Sequence, residues 1–140
     1  MQSVLSVHLW KYMPKIVVAE DDKLLSGSLV SAFTEAQFEV FAAYDGEEAI
    51  AKIKEVKPDA VLLDVMMPKL DGIGVLWELK ANPETSGTPV VVLTNMADMD
   101  TIAKIMDAGG TDYLLKSDQS IDKIIEKVRQ VMARSKASVQ

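Results

Sequence analysis

The run VLLDVMMP at positions 61–68 sets one carboxylate, Asp64, among apolar residues. Burying an unpaired charge in such company costs several kcal/mol, so Asp64 needs counter-charges or a place at the edge of the core. Other groups able to do chemistry also follow short apolar runs. Glu20, Asp21 and Asp22 come after KIVVA, Thr94 and Asn95 after VVVL, and Lys116 and Ser117 after DYLL. Clustered carboxylates repel, and without a cation one of them should take up a proton. A hard divalent ion removes the conflict, and Mg2+ suits a few carboxylates plus waters. An acid pair, an acid, a hydroxyl and a lysine brought to one place would therefore hold Mg2+ and neutralise an incoming oxyanion. Singly, each residue has a plainer reading. Asp22 reads as a helix cap, Asp71-Gly72 as a turn, Lys116 as a solvated lysine, and Thr94 as a residue of high β propensity. The combination is what favours a site.

The elements that must position these groups are legible. KIVVA (15–19), FEVFAAY (38–44), AVLLD (60–64), VVVLT (90–94) and DYLLK (112–116) read as short strands, mostly apolar throughout. Between them lie helical patterns. Residues 23–36 carry Leu25, Leu29 and Phe33 on one face. Asp45-Gly46 reads as a turn before a helix over 47–56, with Ile50 and Ile53 inward. A third helix starts near Asp71. A fourth, in MADMDTIAKIMDAGG, stops at Gly109 and presents Ile102, Ile105 and Met106 as one face. The last, over 120–135, has a stripe of Ile121, Ile124, Ile125, Val128 and Met132. Five strand–helix repeats with fully apolar strands predict an α/β fold, a doubly wound parallel sheet covered on both faces. In such sheets ligands bind outside the carboxyl ends of the strands. The chemical residues above all follow strands, so they share that edge.

Composition narrows the function. The 140 residues suit a single domain with a real core. There is no cysteine and only one histidine, which excludes a disulfide framework and a thiolate or multi-histidine zinc site. Net charge is -6 without a basic run, so direct nucleic-acid binding is not expected. Apolar runs fall far short of the roughly 20 residues of a membrane helix. Residues 1–13 read as an N-terminal extension and a poor signal peptide, because Lys11 interrupts the apolar stretch. The alternative is a docking segment built on Val4, Leu5, Val7, Leu9, Trp10 and Tyr12. Residues 14–134 form the domain and the polar residues 135–140 a frayed tail. A cytoplasmic location is the expectation.

The motifs VVAEDD (17–22), VLLDVMMPKLDG (61–72), VVVLTNMAD (90–98) and AGGTDYLLK (108–116), in this order and spacing, resemble the response-regulator receiver domain of two-component signalling. The likeness covers about residues 15–134, and the chain looks like a single-domain receiver of the chemotaxis-regulator kind. It implies a flavodoxin-like fold with five helices and a five-stranded parallel sheet of order 2-1-3-4-5. It implies that Asp64 accepts a phosphoryl group from a sensor histidine kinase or a histidine phosphotransfer protein. Asp21 and Asp64 would ligate Mg2+, with Glu20 acting through water and Met66 through its backbone carbonyl. Thr94 and Lys116 would bond the phosphoryl oxygens, and Tyr113 would be the aromatic switch. The readout surface for a downstream protein target would be the fourth helix, fifth strand and fifth helix. Catalysis would extend only to the protein's own phosphorylation and dephosphorylation.

Two departures from the family pattern carry expectations. Ser117 stands where the family usually has proline. A cis bond before a non-proline residue costs about 2.5–4 kcal/mol, so Lys116-Ser117 is expected to be trans. Met66 and Met96 replace polar residues two positions past the aspartate and the threonine. Thioethers orient water poorly, so the phosphorylated state is expected to be long-lived. A haloacid-dehalogenase-type phosphatase is the enzymatic alternative, but it needs a second aspartate where Met66 stands. A phosphorylation-independent pseudo-receiver is the other alternative, and the complete set of Asp21, Asp64, Thr94 and Lys116 opposes it.

Overall fold

A computed structural model of the protein describes residues 13–95, 98–117 and 120–139. The strands are β1 (Lys15–Ala19), β2 (Glu39–Ala43), β3 (Ala60–Asp64), β4 (Val90–Thr94) and β5 (Asp112–Leu115). The helices are α1 (Lys23–Glu35), α2 (Gly46–Val56), α3 (Gly72–Ala81), α4 (Met99–Asp107) and α5 (Ile121–Val139). Strands pair in parallel in the order β2-β1-β3-β4-β5, as the sequence and its resemblance imply.

Side chains alternate across the sheet with the two-residue period of a strand. Val17, Val61, Leu63 and Val92 face one side, where Ile53 of α2, Leu76 of α3 and Ile105 of α4 cover them. Ile16, Val18, Leu62 and Leu93 face the other, under Leu29 and Phe33 of α1 and Ile124 and Val128 of α5. β3 and β4 are buried along their whole length, which is why they read as unbroken apolar runs.

Register fixes the site. Ala19 lies opposite Leu63 and Asp64 opposite Leu93. Glu20, one step beyond Ala19, is therefore level with Asp64. Thr94 pairs with Leu115, which places Lys116 one step past the end of β5.

Aspartates start four of the helices. Asp22 accepts from the Leu24 and Leu25 amides, Asp45 from Glu48, Asp71 from Gly74 and Asp98 from Thr101. Each satisfies an amide that the first turn leaves unpaired. The cap at Asp22 and the helix start at Asp71 match the sequence reading, whereas Asp45-Gly46, read as a turn, supplies the cap and first residue of α2. Gly109, at φ 105°, ends α4 in the left-handed conformation that glycine adopts freely.

The inward face of α4 differs from expectation. Ile105 is buried and Ile102 half-buried, but Met106 is 46% exposed. Residues 105 and 106 lie about 100° apart around the axis, and α4 meets the sheet along a narrow line. α5 adds Val131 to its buried stripe and runs to Val139, past position 134 where the domain was expected to end. Except for Met13, the extension at 1–13 lies outside the described residues. The Lys116-Ser117 bond is trans, and the described residues contain no cis peptide. No helix among them is long and apolar enough to cross a membrane.

Candidate functional site

Asp64 ends β3 with 3% of its surface exposed, and Glu20 after β1 is 1% exposed. Thr94, at the end of β4, is equally buried, while Asp21 faces solvent. Carboxylate oxygens of Glu20, Asp21 and Asp64 all lie within 4.8 Å of one another. Lys116 Nζ bridges the buried pair, at 2.8 Å from Glu20 Oε1 and 3.2 Å from Asp64 Oδ2. The lysine is the counter-charge that a buried Asp64 requires.

Backbone amides complete the cradle. The Met66 amide donates to Asp64 Oδ1 at 3.3 Å, and the Asp22 amide donates to Glu20 Oε2 at 3.1 Å. Glu20 Oε1 is buried without an aligned hydrogen bond, its contact with Lys116 being ionic.

Burial pushes the Glu20 carboxyl up from 4.5 to about 7; Lys116 and the Asp22 amide oppose the rise, and the Asp64 charge adds to it. One acid of such a cluster should hold a proton when no cation is bound, and the group poised to do so is Glu20. Burial by itself lowers an ammonium, yet Glu20 and Asp64 together hold Lys116 above its ordinary value.

Of the residues singled out in the sequence, Glu20, Asp21, Asp64, Thr94 and Lys116 converge on the carboxyl edge of the sheet. Met66 comes with them through its backbone, but its side chain is 71% exposed and turned outward. Met96 lies outside the described residues. Tyr113 is half-buried on β5 and packs against the core beneath α2, α3 and α4.

The segment 65–71 was less legible. Gly72 begins α3 so close to β3 that a Cβ there would lie 2.5 Å from the Asp64 carbonyl oxygen and 2.8 Å from Val65 Cα. Its amide donates to the Val65 carbonyl at 2.8 Å. The D-G pair at 71–72 was the available signal, but it announces a tight corner without naming the neighbour.

A family model described as the response regulator receiver domain matches residues 16–129. The chain belongs to that family. Among curated relatives of this receiver domain, the transcriptional regulatory protein PrrA of Mycobacterium leprae is 38% identical over 103 residues, which cover 74% of this chain and 43% of that protein. The probable transcriptional regulator ycf27 of Porphyridium aerugineum is 35% identical over 120 residues, covering 86% and 48%. The receiver domain thus spans about half the length of these relatives. The solved receiver domain of the Francisella response regulator 1452 superposes with a TM-score of 0.80 at 34% identity, covering 87% of this chain and 98% of that one. The chemotaxis protein CheY4 of Vibrio cholerae gives the same TM-score at 24% identity, a likeness of fold alone.

The match to the receiver-domain family, with relatives named as transcriptional and response regulators, favours that family over the phosphatase alternative. Because relatives are named transcriptional regulators, they lend no support to the expectation that nucleic acid is absent from this protein's partners.

Proposed function

We propose that this receiver domain accepts a phosphoryl group on Asp64 from a phosphohistidine of a sensor histidine kinase or a histidine phosphotransfer protein. The observation that carries the reading is the ammonium of Lys116 bridging Glu20 and Asp64, beside three carboxylates within 4.8 Å. This donor set is all oxygen, with three carboxylates within 4.8 Å, so the cluster fits Mg2+. Asp21, Asp64 and the Met66 carbonyl would hold the ion, with Glu20 joined through water. When bound, it would offset charge on the transferring oxygens.

In the transfer, an Asp64 carboxylate oxygen forms the new bond to phosphorus while the phosphorus–nitrogen bond to histidine breaks. The imidazole leaves with the electron pair and takes up a proton. Lys116 and Thr94 stabilise the charge on the phosphoryl oxygens. The phosphoryl group carries roughly -1.5 to -2 of charge where the Asp64 carboxylate carried -1, and it draws Thr94 inward and lets Tyr113 turn into the space it vacates. That biases a two-state surface at α4-β5-α5 toward binding a protein target. On the analogy of the relatives, a DNA-binding unit is one such target. We place the protein in the cytoplasm, where sensor kinases phosphorylate their partners.

The test is incubation with acetyl phosphate. Intact mass should show one added phosphoryl group when Mg2+ is present and none after chelation with EDTA. Modification that proceeds equally without a divalent ion would overturn the reading.

A long phosphoryl lifetime belongs to the same proposal. The exposed Met66 side chain acts at the rim of the site, where it offers attacking water no good partner. Met66→Asn should speed loss of the phosphoryl group about tenfold, equivalent to about 1.4 kcal/mol in the barrier. Decay no faster than in the parent would remove Met66 from the gating of water.

A further inference from the structure

The segment between Asp64 and α3 carries Met66; Met67 is buried in the core and the Gly72 amide holds the Val65 carbonyl, while Pro68–Leu70 between them lie against the β2–α2 corner. The Leu70 amide donates to the Pro68 carbonyl at 2.8 Å, closing a three-residue turn around Lys69. Lys69 sits at φ 68°, a conformation with a steric cost for a residue bearing a Cβ. Such strain persists where the surroundings over-determine it.

The surroundings in question are the corner between β2 and α2. Gly46 packs so tightly on the segment that a Cβ there would overlap the Leu70 carbonyl oxygen and lie 2.6 Å from Leu70 Cβ. The Gly46 amide also reaches toward the Pro68 carbonyl, at 3.5 Å. Asp45 divides its carboxylate between two tasks. Oδ1 accepts from the Glu48 amide at 2.8 Å and caps α2, while Oδ2 lies 3.6 Å from Lys69 Nζ. Lys69 is well exposed, so that pair contributes little by itself. The steric seat at Gly46 is the stronger constraint, because backbone meets backbone and no side chain can rotate away.

We propose that the β2–α2 corner, with Gly46 at its centre, is a positioning site for the metal-binding loop. It sets the Met66 backbone at the correct height beside Asp64, although neither Asp45 nor Gly46 touches the ion. The inference rests on the functional reading given above. It makes the corner and the metal thermodynamically coupled, and such coupling is reciprocal.

The test is Mg2+ binding measured by calorimetry on the full chain. Gly46→Ala should bind Mg2+ at least tenfold more weakly than the parent while its circular dichroism remains that of the folded domain. Gly27→Ala on α1, where a Cβ meets nothing within 4 Å, should bind as the parent does. Ile53→Val, which loosens the buried face of α2 without entering the corner, should lower the thermal midpoint and leave Mg2+ affinity unchanged. A Gly46→Ala protein of lowered thermal midpoint and parental affinity would make the glycine merely structural and overturn the proposal.

Amide hydrogen exchange of the parent keeps the idea testable should Gly46→Ala fail to fold. Adding Mg2+ should slow exchange at 66–72 and at Gly46–Glu48 together, whereas protection confined to 66–72 would overturn the coupling. Failure of the parent to bind Mg2+ at all has a different signature, since it overturns the site reading and the seat with it.

Discussion

Asp64→Asn should acquire no phosphoryl group from acetyl phosphate and Mg2+ under conditions in which the parent acquires one. The carboxamide has nearly the shape of the carboxylate but no anionic oxygen to attack phosphorus, and nucleophilic catalysis depends on that oxygen. The fold should survive, because the substitution leaves the Lys116 ion pair with Glu20 at 2.8 Å in place. It also removes one of two facing negative charges, whose repulsion now helps to raise Glu20. Intact mass spectrometry decides the matter. A phosphoryl group that persists in Asp64→Asn would mean another acceptor, with the exposed Asp21 first to be examined by peptide mapping.

Lys116→Met should slow phosphorylation by small donors about 100-fold or more, equivalent to about 2.7 kcal/mol in the barrier. Methionine keeps much of the length and apolar volume of the lysine stem and deletes the ammonium. The loss falls on the transition state, where a fixed cation facing the developing charge is commonly worth ~100-fold to ~1,000-fold. The stability loss should be smaller than the ~3–5 kcal/mol seen when one partner of a fully buried ion pair is removed. Lys116 keeps 19% of its side chain exposed, and Glu20, already raised to about 7, can take up a proton in place of its lost partner. Stopped acetyl phosphate reactions give the rate, and urea unfolding gives the stability. A Lys116→Met protein phosphorylated at the parental rate would leave the lysine a purely structural counter-ion.

The architecture was legible because its two periodicities are local. The two-residue alternation and the 3.6-residue stripe are written into runs such as AVLLD and the α5 stripe. The apolar β3 and β4 could only belong to a sheet covered on both faces. Asp22 was read correctly as a cap, since an acid just before an amphipathic run has few other uses. Asp45-Gly46 was ambiguous for a physical reason. The same pair suits a turn and a helix start, and no local pattern reports that Leu70 lies against the glycine. The α4 face was misjudged at Met106 because periodicity gives an arc of the helix, and the packing partners decide how much of that arc is covered.

By itself the sequence determined the strand–helix order, the apolar strands and the delivery of an acid pair, an acid, a hydroxyl and a lysine to strand ends. Those properties depend on neighbours a few residues apart. Only the tertiary structure decided which of these groups meet. Parallel register sets Glu20 level with Asp64 and brings Lys116 to within 3.2 Å of an aspartate 52 residues earlier in the chain. It also decided that Glu20 is the acid lifted toward neutrality, because burial is a property of the packed sheet edge and of nothing nearer in sequence. The outward turn of the Met66 side chain and the seating of its loop on Gly46 have the same origin. They arise where two βα corners, distant in sequence, are pressed together by the core beneath them.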